Sequence, residues 1–499
     1  MIPAFDANAK FQNLINGEWV APTTGNYAPN RNPANTDDVL GQFPVSGAKD
    51  AEGAVSAAKG AFKEWSSMPG PARGRILWKA VDLFRARIDD FARCLCREEG
   101  KTFAESKGEV NKGINLFEFY AGEGFRMHGK TLPSEMKQTL TFTLRQPLGV
   151  VALITPWNFP FAIPAWKTAP ALVTGNTVVM KPASNTPGTA TMFAQVLMDA
   201  GLPKGVFNLV TGPGGAVGNT LVDHTDVQAV SFTGSNEIGM ALNVRAAKRG
   251  IKVTAEMGGK NPVVVLDDAD LDLAASGILG GAYGSTGQRC TATSRVVVQK
   301  GVAAQLVERI VAGAKKLKVG NGLESGIDMG PAVDQGQLKT DLEYIEIAKG
   351  EGATLRTGGN HLKDGAYAKG FYVEPTVFTG VKVGSRLHQE EVFGPVVAVV
   401  EVGDFEEALY AANAVQFGLS ASIYTRDANT AMKFVERSEV GMVHVNNPTV
   451  GGEAQLPFGG WKSTGVGERE MAEEGAEFFT QLKTVFFDYT GAARTSKIY

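Results

Sequence analysis

Cysteine is scarce in this chain: three residues among 499, at positions 94, 96 and 290, too few to staple a protein of this size with disulfides. Five histidines, scattered singly, give no metal-ligand spacing, so no metal site is expected. No apolar run approaches the roughly 20 residues of a membrane span. Met1 to Lys10 lacks a basic segment followed by an apolar one, so no signal peptide is expected either. An excess of one charge sign is also missing. With 49 basic against 52 acidic side chains, the net charge of −3 removes the electrostatic case for nucleic acid or an anionic membrane as partner. Repeats, low-complexity tracts and a flexible linker are absent as well. These absences point to a reducing cytoplasm, in which Cys290 stays a free thiol.

What is present is a chain too long for one hydrophobic core, so two or three domains are expected. Phe11 to Asp38, rich in Pro, Asn and Thr, reads as a short hairpin and loop. From Asp50 to about Gly129 apolar residues recur at spacings of three and four, a helical scaffold. Cys94 and Cys96 lie in one such helix, Asp89 to Arg97, where positions two apart do not face each other, and they read as packing residues. Two strands with exposed faces, Gln138 to Arg145 and Lys483 to Tyr489, stand apart from the rest. They suggest a projecting arm that pairs with another subunit and makes a homo-oligomer, a dimer or a dimer of dimers up to a tetramer. The alternative is an ordinary hairpin packed on its own chain.

After Gly149 the rhythm changes. Val150 to Ile154, Thr177 to Lys181, Val206 to Val210, Ala229 to Phe232 and Lys252 to Glu256 are apolar, β-branched runs separated by helical stretches. Such runs predict parallel strands buried on both faces, hence a doubly wound α/β sheet whose ligand lies beyond the carboxyl ends of the strands. A second alternation at 261–267, 295–299, 396–402, 419–424 and 442–446 predicts another α/β domain, with Cys290 between its early strands. The division expected is a cofactor-binding domain of 1–128 and 148–257, a catalytic domain of 258–470, and an arm of 129–147 and 471–499.

The residues after each run are the candidates for chemistry. Asn158, in Pro156 Trp157 Asn158 Phe159 Pro160, could donate to a developing oxyanion or merely cap the next helix. Lys181 could bond ribose or phosphate, or be solvated. Phe232 Thr233 Gly234 Ser235 Asn236 Glu237 Ile238 Gly239 opens a helix, offering N–H groups to a phosphate, although it is not the G-x-G-x-x-G pattern. Glu256 is a carboxylate at a strand terminus. Cys290, flanked by the small residues of Gly284 Ser285 Thr286 Gly287 and by Thr291 Ala292, is unobstructed for a working thiol; the bland alternative is a small packed hydrophobe.

Taken together and in order, Pro156 to Pro160, Lys181 Pro182 Ala183, Phe232 to Ser235, Glu256 Met257 Gly258 Gly259 Lys260, Gly287 Gln288 Arg289 Cys290, Glu391 Val392 Phe393 Gly394 Pro395 and Pro457 Phe458 Gly459 Gly460 resemble the aldehyde dehydrogenase superfamily, over roughly Ile15 to Tyr489. The resemblance implies oxidation of an aldehyde to a carboxylic acid with NAD(P). Cys290 would be the nucleophile, Asn158 with the Cys290 N–H the oxyanion donors, and Glu256 the base for thioester hydrolysis. For the cofactor it implies Ile154, Thr155, Pro156, Trp157, Lys181, Ser184, Gly214, Phe232, Thr233, Gly234, Ser235, Ile238, Gly239, Met257, Gly258, Glu391 and Phe393. Ser184 stands where NAD-preferring relatives often carry a glutamate, so NADP is expected to be accepted besides NAD. Phe159, Trp166 and Phe458 would line the aldehyde channel, and Gly284, in place of an aromatic ring, would widen it. Arg289 could meet a distal carboxylate or instead bond backbone carbonyls. The surrounding wording looks most like the α-ketoglutaric semialdehyde dehydrogenase branch; a broad-range aliphatic or aromatic aldehyde dehydrogenase is the alternative. A coenzyme A-acylating relative is disfavoured by Glu256, and a non-catalytic protein of the same fold by the joint presence of Cys290, Glu256 and Asn158.

Overall fold

The computed structural model describes residues 5–493; the remaining ends of the first and last ranges above lie outside the described residues. Among the described residues two large sheets form. The first has eight strands, and its five central ones are parallel, in the order Phe207–Leu209, Thr177–Lys181, Val150–Ile154, Val227–Thr233 and Lys252–Glu256. Every residue of Val150–Ile154 and Thr177–Lys181 is buried, as strands covered on both faces must be. Val151 and Leu153 enter one core with the helices of the 70–123 segment, whereas Val150, Ala152 and Ile154 enter another on the opposite face. The five predicted runs therefore all become parallel strands, at the boundaries read within one or two residues.

The second sheet has seven strands, six of them parallel, with Asn261–Val265 and Thr293–Gln299 side by side at its centre. Val264 and Val297 face one core and Val263, Val265, Val296 and Val298 the other. Thr354–Thr357 and Thr376–Thr379 extend this sheet beyond the strands predicted for it. The short hairpin expected after Phe11 forms as Asn13–Ile15 with Glu18–Val20, and Tyr27–Asn32 with Asn35–Pro44 make a second hairpin from the stretch expected as loop and on past Asp38. Cys94 and Cys96 are both buried in the Ile88–Glu99 helix, which ends at Gly100 in a left-handed conformation (φ 98°) that favours glycine.

Thr139–Pro147 and Thr480–Asp488 pair antiparallel with each other along nine residues, Thr480 opposite Pro147 and Asp488 opposite Thr139. Thr131–Leu132 adds a short third strand, and the sheet is separate from the other two. Leu140, Phe487, Leu482 and Phe486 are all exposed, so both of its faces show apolar side chains to solvent. Among the described residues no helix is long and apolar enough to cross a membrane.

Helices Gly70–Ala86, Ile88–Glu99, Phe103–Glu123, Ala162–Val173 and Pro187–Asp199 pack around one aromatic cluster. Phe84 stands at its centre, with ring centroids 5.1 to 5.3 Å from Phe161, Phe117 and Phe193. Phe161 begins the helix that follows Asn158, so this cluster fixes one wall of the site described next. Phe84→Ala should destabilise the fold by about 3–5 kcal/mol, against under about 1 kcal/mol for Trp78→Ala on the exposed side of the same helix. Paired denaturant titrations check the contrast.

Candidate active site

Cys290 is delivered by an unusual turn. Ser285, Thr286 and Gly287 are all left-handed, with φ of 50°, 58° and 69°; for the two non-glycine residues this conformation costs of order 1–3 kcal/mol each. The turn is pinned from outside. The Ser285 N–H donates to Glu105 Oε1 at 2.6 Å, Thr286 Oγ1 donates to the Gly330 carbonyl at 3.0 Å, and the Val333 N–H donates to Gln288 Oε1 at 2.9 Å. A side chain at Gly287 would meet the Gly394 carbonyl oxygen at 2.4 Å. After the turn, Asn261 Nδ2 donates to the Cys290 carbonyl at 2.8 Å. Cys290 is thus held at the edge of the second sheet's first crossover, where it is partly open to solvent.

Asn158 follows the Val150–Ile154 strand of the first sheet. It does not cap the next helix, whose N-terminal residue has no side-chain cap. Its Nδ2 donates instead to the Gln288 carbonyl at 3.1 Å, two residues before the thiol. The free helix N-terminus is met by Glu109, whose Oε1 accepts from the N–H groups of Phe161 and Ala162 at 2.8 and 3.1 Å. Lys101 Nζ donates to Glu109 Oε2 at 2.6 Å and to the Asn158 carbonyl at 2.7 Å. Lys101 and Glu109 therefore fix the backbone that leaves Asn158, at its own carbonyl and at the helix start, a role their distance in sequence concealed.

Two cavities meet at Cys290. One, of about 240 Å³, is lined by Pro156, Trp157, Asn158, Thr233, Gly234, Ser235, Met257, Gly258, Gln337, Glu391 and Phe393. Nine of the predicted cofactor residues thus share one space with the sulfur. Trp157 and Phe393 meet edge to face at 5.4 Å, forming an aromatic wall. Ser235 starts the Asn236–Arg249 helix without a side-chain cap, which leaves N–H groups free for an anion. The buried hydroxyls of Thr233 and Thr155, at the ends of adjacent strands, have no hydrogen-bond partner. A helix start open to an anion, orphaned hydroxyls and an aromatic wall are what a phosphate-bearing dinucleotide needs, so the residues fit one. Phe232 and Gly239 back this cavity rather than line it: a side chain at Gly234 would strike Phe232, and one at Gly239 would strike Met257, while Ile154 packs in the core below with Phe232 and Met257. Ile238 is exposed on the first turn of the helix.

Lys181 Nζ is buried against the Pro182 carbonyl at 2.7 Å, and burial pulls its ammonium down to about 8. Ser184 lies further along, lining a cavity of about 150 Å³ with Thr211, Gly212 and Pro213, where its hydroxyl reaches the Gly212 carbonyl at 3.4 Å. Gly214 begins the next helical turn, open to solvent.

The other cavity at Cys290, of about 330 Å³, is lined by all four predicted substrate residues, Phe159, Trp166, Arg289 and Phe458, and by one face of the Phe103–Glu123 helix. Trp166 packs on Phe458 at 5.3 Å. Arg289 neither points free into this space nor bonds backbone carbonyls. Its guanidinium lies on Ser285 Oγ at 3.0 Å and Glu105 Oε1 at 3.3 Å. It also corrects the expectation for Gly284: a side chain there would meet the guanidinium at 2.9 Å, so the space left by the missing aromatic ring is filled rather than opened.

Glu256 sits beneath the site, fully buried, with its carboxyl against the backbone of Gly459 and Gly460 and one oxygen unpartnered. It lines neither cavity as the structure stands. Burial, then the nearby Glu470, push its pKa well above the usual range, opposed by Lys167 and Arg469. Glu470 is itself tied to Lys167 and accepts from Trp166 Nε1 at 2.8 Å. Sequence reading passed over this pair, although a lysine inside a largely apolar helix was a visible signal.

Burial pushes the Cys290 thiol up to about 12, with Glu391 and Glu256 adding to the rise and Lys112 opposing it. Burial likewise lifts Glu391 to about 7, against the Gly259 N–H that donates to it at 2.8 Å and the nearby Lys260.

The aldehyde dehydrogenase family model matches residues 19–485. The chain is 47% identical over 476 residues to the α-ketoglutaric semialdehyde dehydrogenase of Bacillus subtilis strain 168, covering 95% of this chain and 98% of that protein. Among solved structures, betaine aldehyde dehydrogenase from Staphylococcus aureus in complex with NAD+ superposes with a TM-score of 0.94 at 34% identity, covering 97% of this chain and 95% of that one. An NADP-dependent enzyme of E. coli superposes with a TM-score of 0.93 at 38% identity, covering 96% and 98%.

The raised thiol pKa has a measurable sign. Without nucleotide or substrate the sulfur is protonated at neutral pH, and its thiolate fraction should grow about tenfold per pH unit up to about 12. Alkylation of Cys290 by iodoacetamide should therefore still be accelerating between pH 9 and 10, where an ordinary cysteine has levelled off. A plateau by pH 8.5 would contradict this.

Proposed function

The chain belongs to the aldehyde dehydrogenase family, and on that premise we propose that it oxidises a carboxylated semialdehyde, such as α-ketoglutaric semialdehyde, to the dicarboxylic acid with Cys290 as nucleophile. The observation that carries this reading is the sharing of one sulfur by two cavities, one suited to a dinucleotide and one to a small aldehyde.

Glu256, once ionised, takes the thiol proton, and Cys290 Sγ bonds to the carbonyl carbon as the C=O π pair moves onto the oxygen. The Asn158 amide and the Cys290 N–H stabilise the negative oxygen that results, and Lys101 and Glu109 keep that amide in place. Bound in the smaller cavity by Trp157, Gly234, Ser235, Glu391 and Phe393, with Lys181 and Ser184 further along, the NAD(P) nicotinamide supplies the two-electron acceptor. A thioester on Cys290 remains. Glu256 accepts a proton from the water that cleaves it, after its side chain turns from Gly459 and Gly460 toward the sulfur; its burial makes it a strong base once ionised. Glu470 and Lys167 lie beside it to exchange that proton.

Ser184 leaves the adenosine ribose edge without a carboxylate, which supports use of NADP alongside NAD. The two sheets serve as the cofactor-binding and catalytic domains in the division given above. The exposed apolar faces of the arm are covered by further copies of the chain, in a dimer or a dimer of dimers. Three free thiols suit the cytoplasm. The aromatic wall of Phe159, Trp166 and Phe458 favours one second reading, a broad-range enzyme for aliphatic or benzylic aldehydes.

A steady-state panel of semialdehydes, aliphatic and benzylic aldehydes, run with each nucleotide, separates the two; equal kcat/KM across the panel would leave the broad-range enzyme. Cys290→Ser should lower kcat by at least about a thousandfold with folding intact. Ser184→Glu should cut kcat/KM for NADP by about 100-fold through like-charge repulsion while sparing NAD.

A further inference from the structure

The wall of the larger cavity contributed by the Phe103–Glu123 helix carries Glu105, Gly108, Glu109 and Lys112, spaced so that all lie on one face. Three of them have settled surroundings. Glu105 is engaged by the Ser285 N–H and by Arg289. Glu109 is engaged by Lys101 and by the helix start at Phe161. Gly108 has no side chain. Lys112 alone is charged and unmatched: among the described residues its Nζ makes no hydrogen bond or ion pair, and it lies 5.4 Å from the centre of the Trp166 ring and beside Gly452, where a side chain would meet it at 3.4 Å.

Of the four charged residues that line the cavity, Glu105 is bonded to Arg289 and Glu109 to Lys101 behind the wall, which leaves the Lys112 ammonium without a bonded counter-ion. An ammonium that faces a cavity without a bonded counter-ion is free to donate to a ligand carboxylate. The same cavity holds Cys290, so a ligand with an aldehyde at one end and a carboxylate at the other could engage both.

We propose that Lys112, rather than Arg289, receives the distal carboxylate of the substrate and is the residue that makes this site select semialdehydes over uncharged aldehydes. The proposal rests on the semialdehyde reading above. Arg289 then has a different part: paired with Glu105, it stiffens the turn that carries the thiol. Lys112 also lies within electrostatic reach of Cys290 and favours its thiolate, an effect that acts on every substrate alike and must be separated from recognition.

The test compares 4-oxobutanoate with butanal, two aldehydes of equal length, on the full chain at saturating nucleotide. In the wild type kcat/KM should favour 4-oxobutanoate. In Lys112→Met the ratio of the two kcat/KM values should fall at least about 20-fold, mainly through KM, and Lys112→Arg should recover a large part of it. An unchanged ratio in Lys112→Met overturns the proposal, since a role confined to thiol activation depresses both substrates together. A wild type with no preference for 4-oxobutanoate sinks the semialdehyde reading instead. A second measurement needs no variant: glutarate should slow alkylation of wild-type Cys290 by iodoacetamide far more than pentanamide at the same concentration, and equal protection by the two would also overturn the proposal.

Discussion

The left-handed turn at Ser285, Thr286 and Gly287 is the constraint from which the site follows. Left to themselves, serine and threonine avoid this conformation, so the turn persists only because its surroundings over-determine it. Those surroundings come from distant parts of the chain: Glu105 from the helical scaffold, Gly330 and Val333 from the segment after the second sheet's first crossover, and Gly394 from the approach to a later strand. The turn sets the sulfur where the space between the two sheets divides. A relaxed turn would leave both cavities in place without a shared atom.

Buried ions serve the same end. Lys101 with Glu109, and Lys167 with Glu470, are withdrawn from water almost completely. Such pairs add little net stability, because desolvation offsets most of their attraction. What they add here is position, since each is also bonded to backbone or to an aromatic N–H. Glu109 holds a helix start and Lys101 a carbonyl, so the chain leaving Asn158 is fixed at two points. Arg295 acts alike in the second sheet, donating to the carbonyls of Lys260, Ala411 and Ala412.

Much of this was legible in the chain. Continuous β-branched runs made the strands of both sheets visible, and the rule that ligands gather beyond parallel strand ends selected Asn158, Thr233 and Glu256. Local pattern could not show which charges cancel. The chain leaves Arg289 open between a distal carboxylate and backbone carbonyls, and its contact with Glu105, 184 residues away, is invisible locally. Nothing local singles out Lys112, because its place beside Cys290 exists only once the helix is docked. Gly284 misled for the same reason: a missing side chain implies open space only if no other side chain fills it. The hairpin at 27–44 was hidden by Pro and Asn residues that usually mark loops.

The arm sheet joins residues made early to residues made late. Arg145 and its bonding partner Thr480 are 335 positions apart, so at about 5–20 residues per second the first strand waits roughly 20 to 70 s on the ribosome before its complement emerges. Throughout that interval Leu140 and Leu144 stand on an unpaired edge, open to the same strand of a neighbouring nascent chain. Yield of native protein is therefore a contest between elongation and mispairing, and slowing translation over the second half of the message would tilt it toward aggregates even though no amino acid had changed.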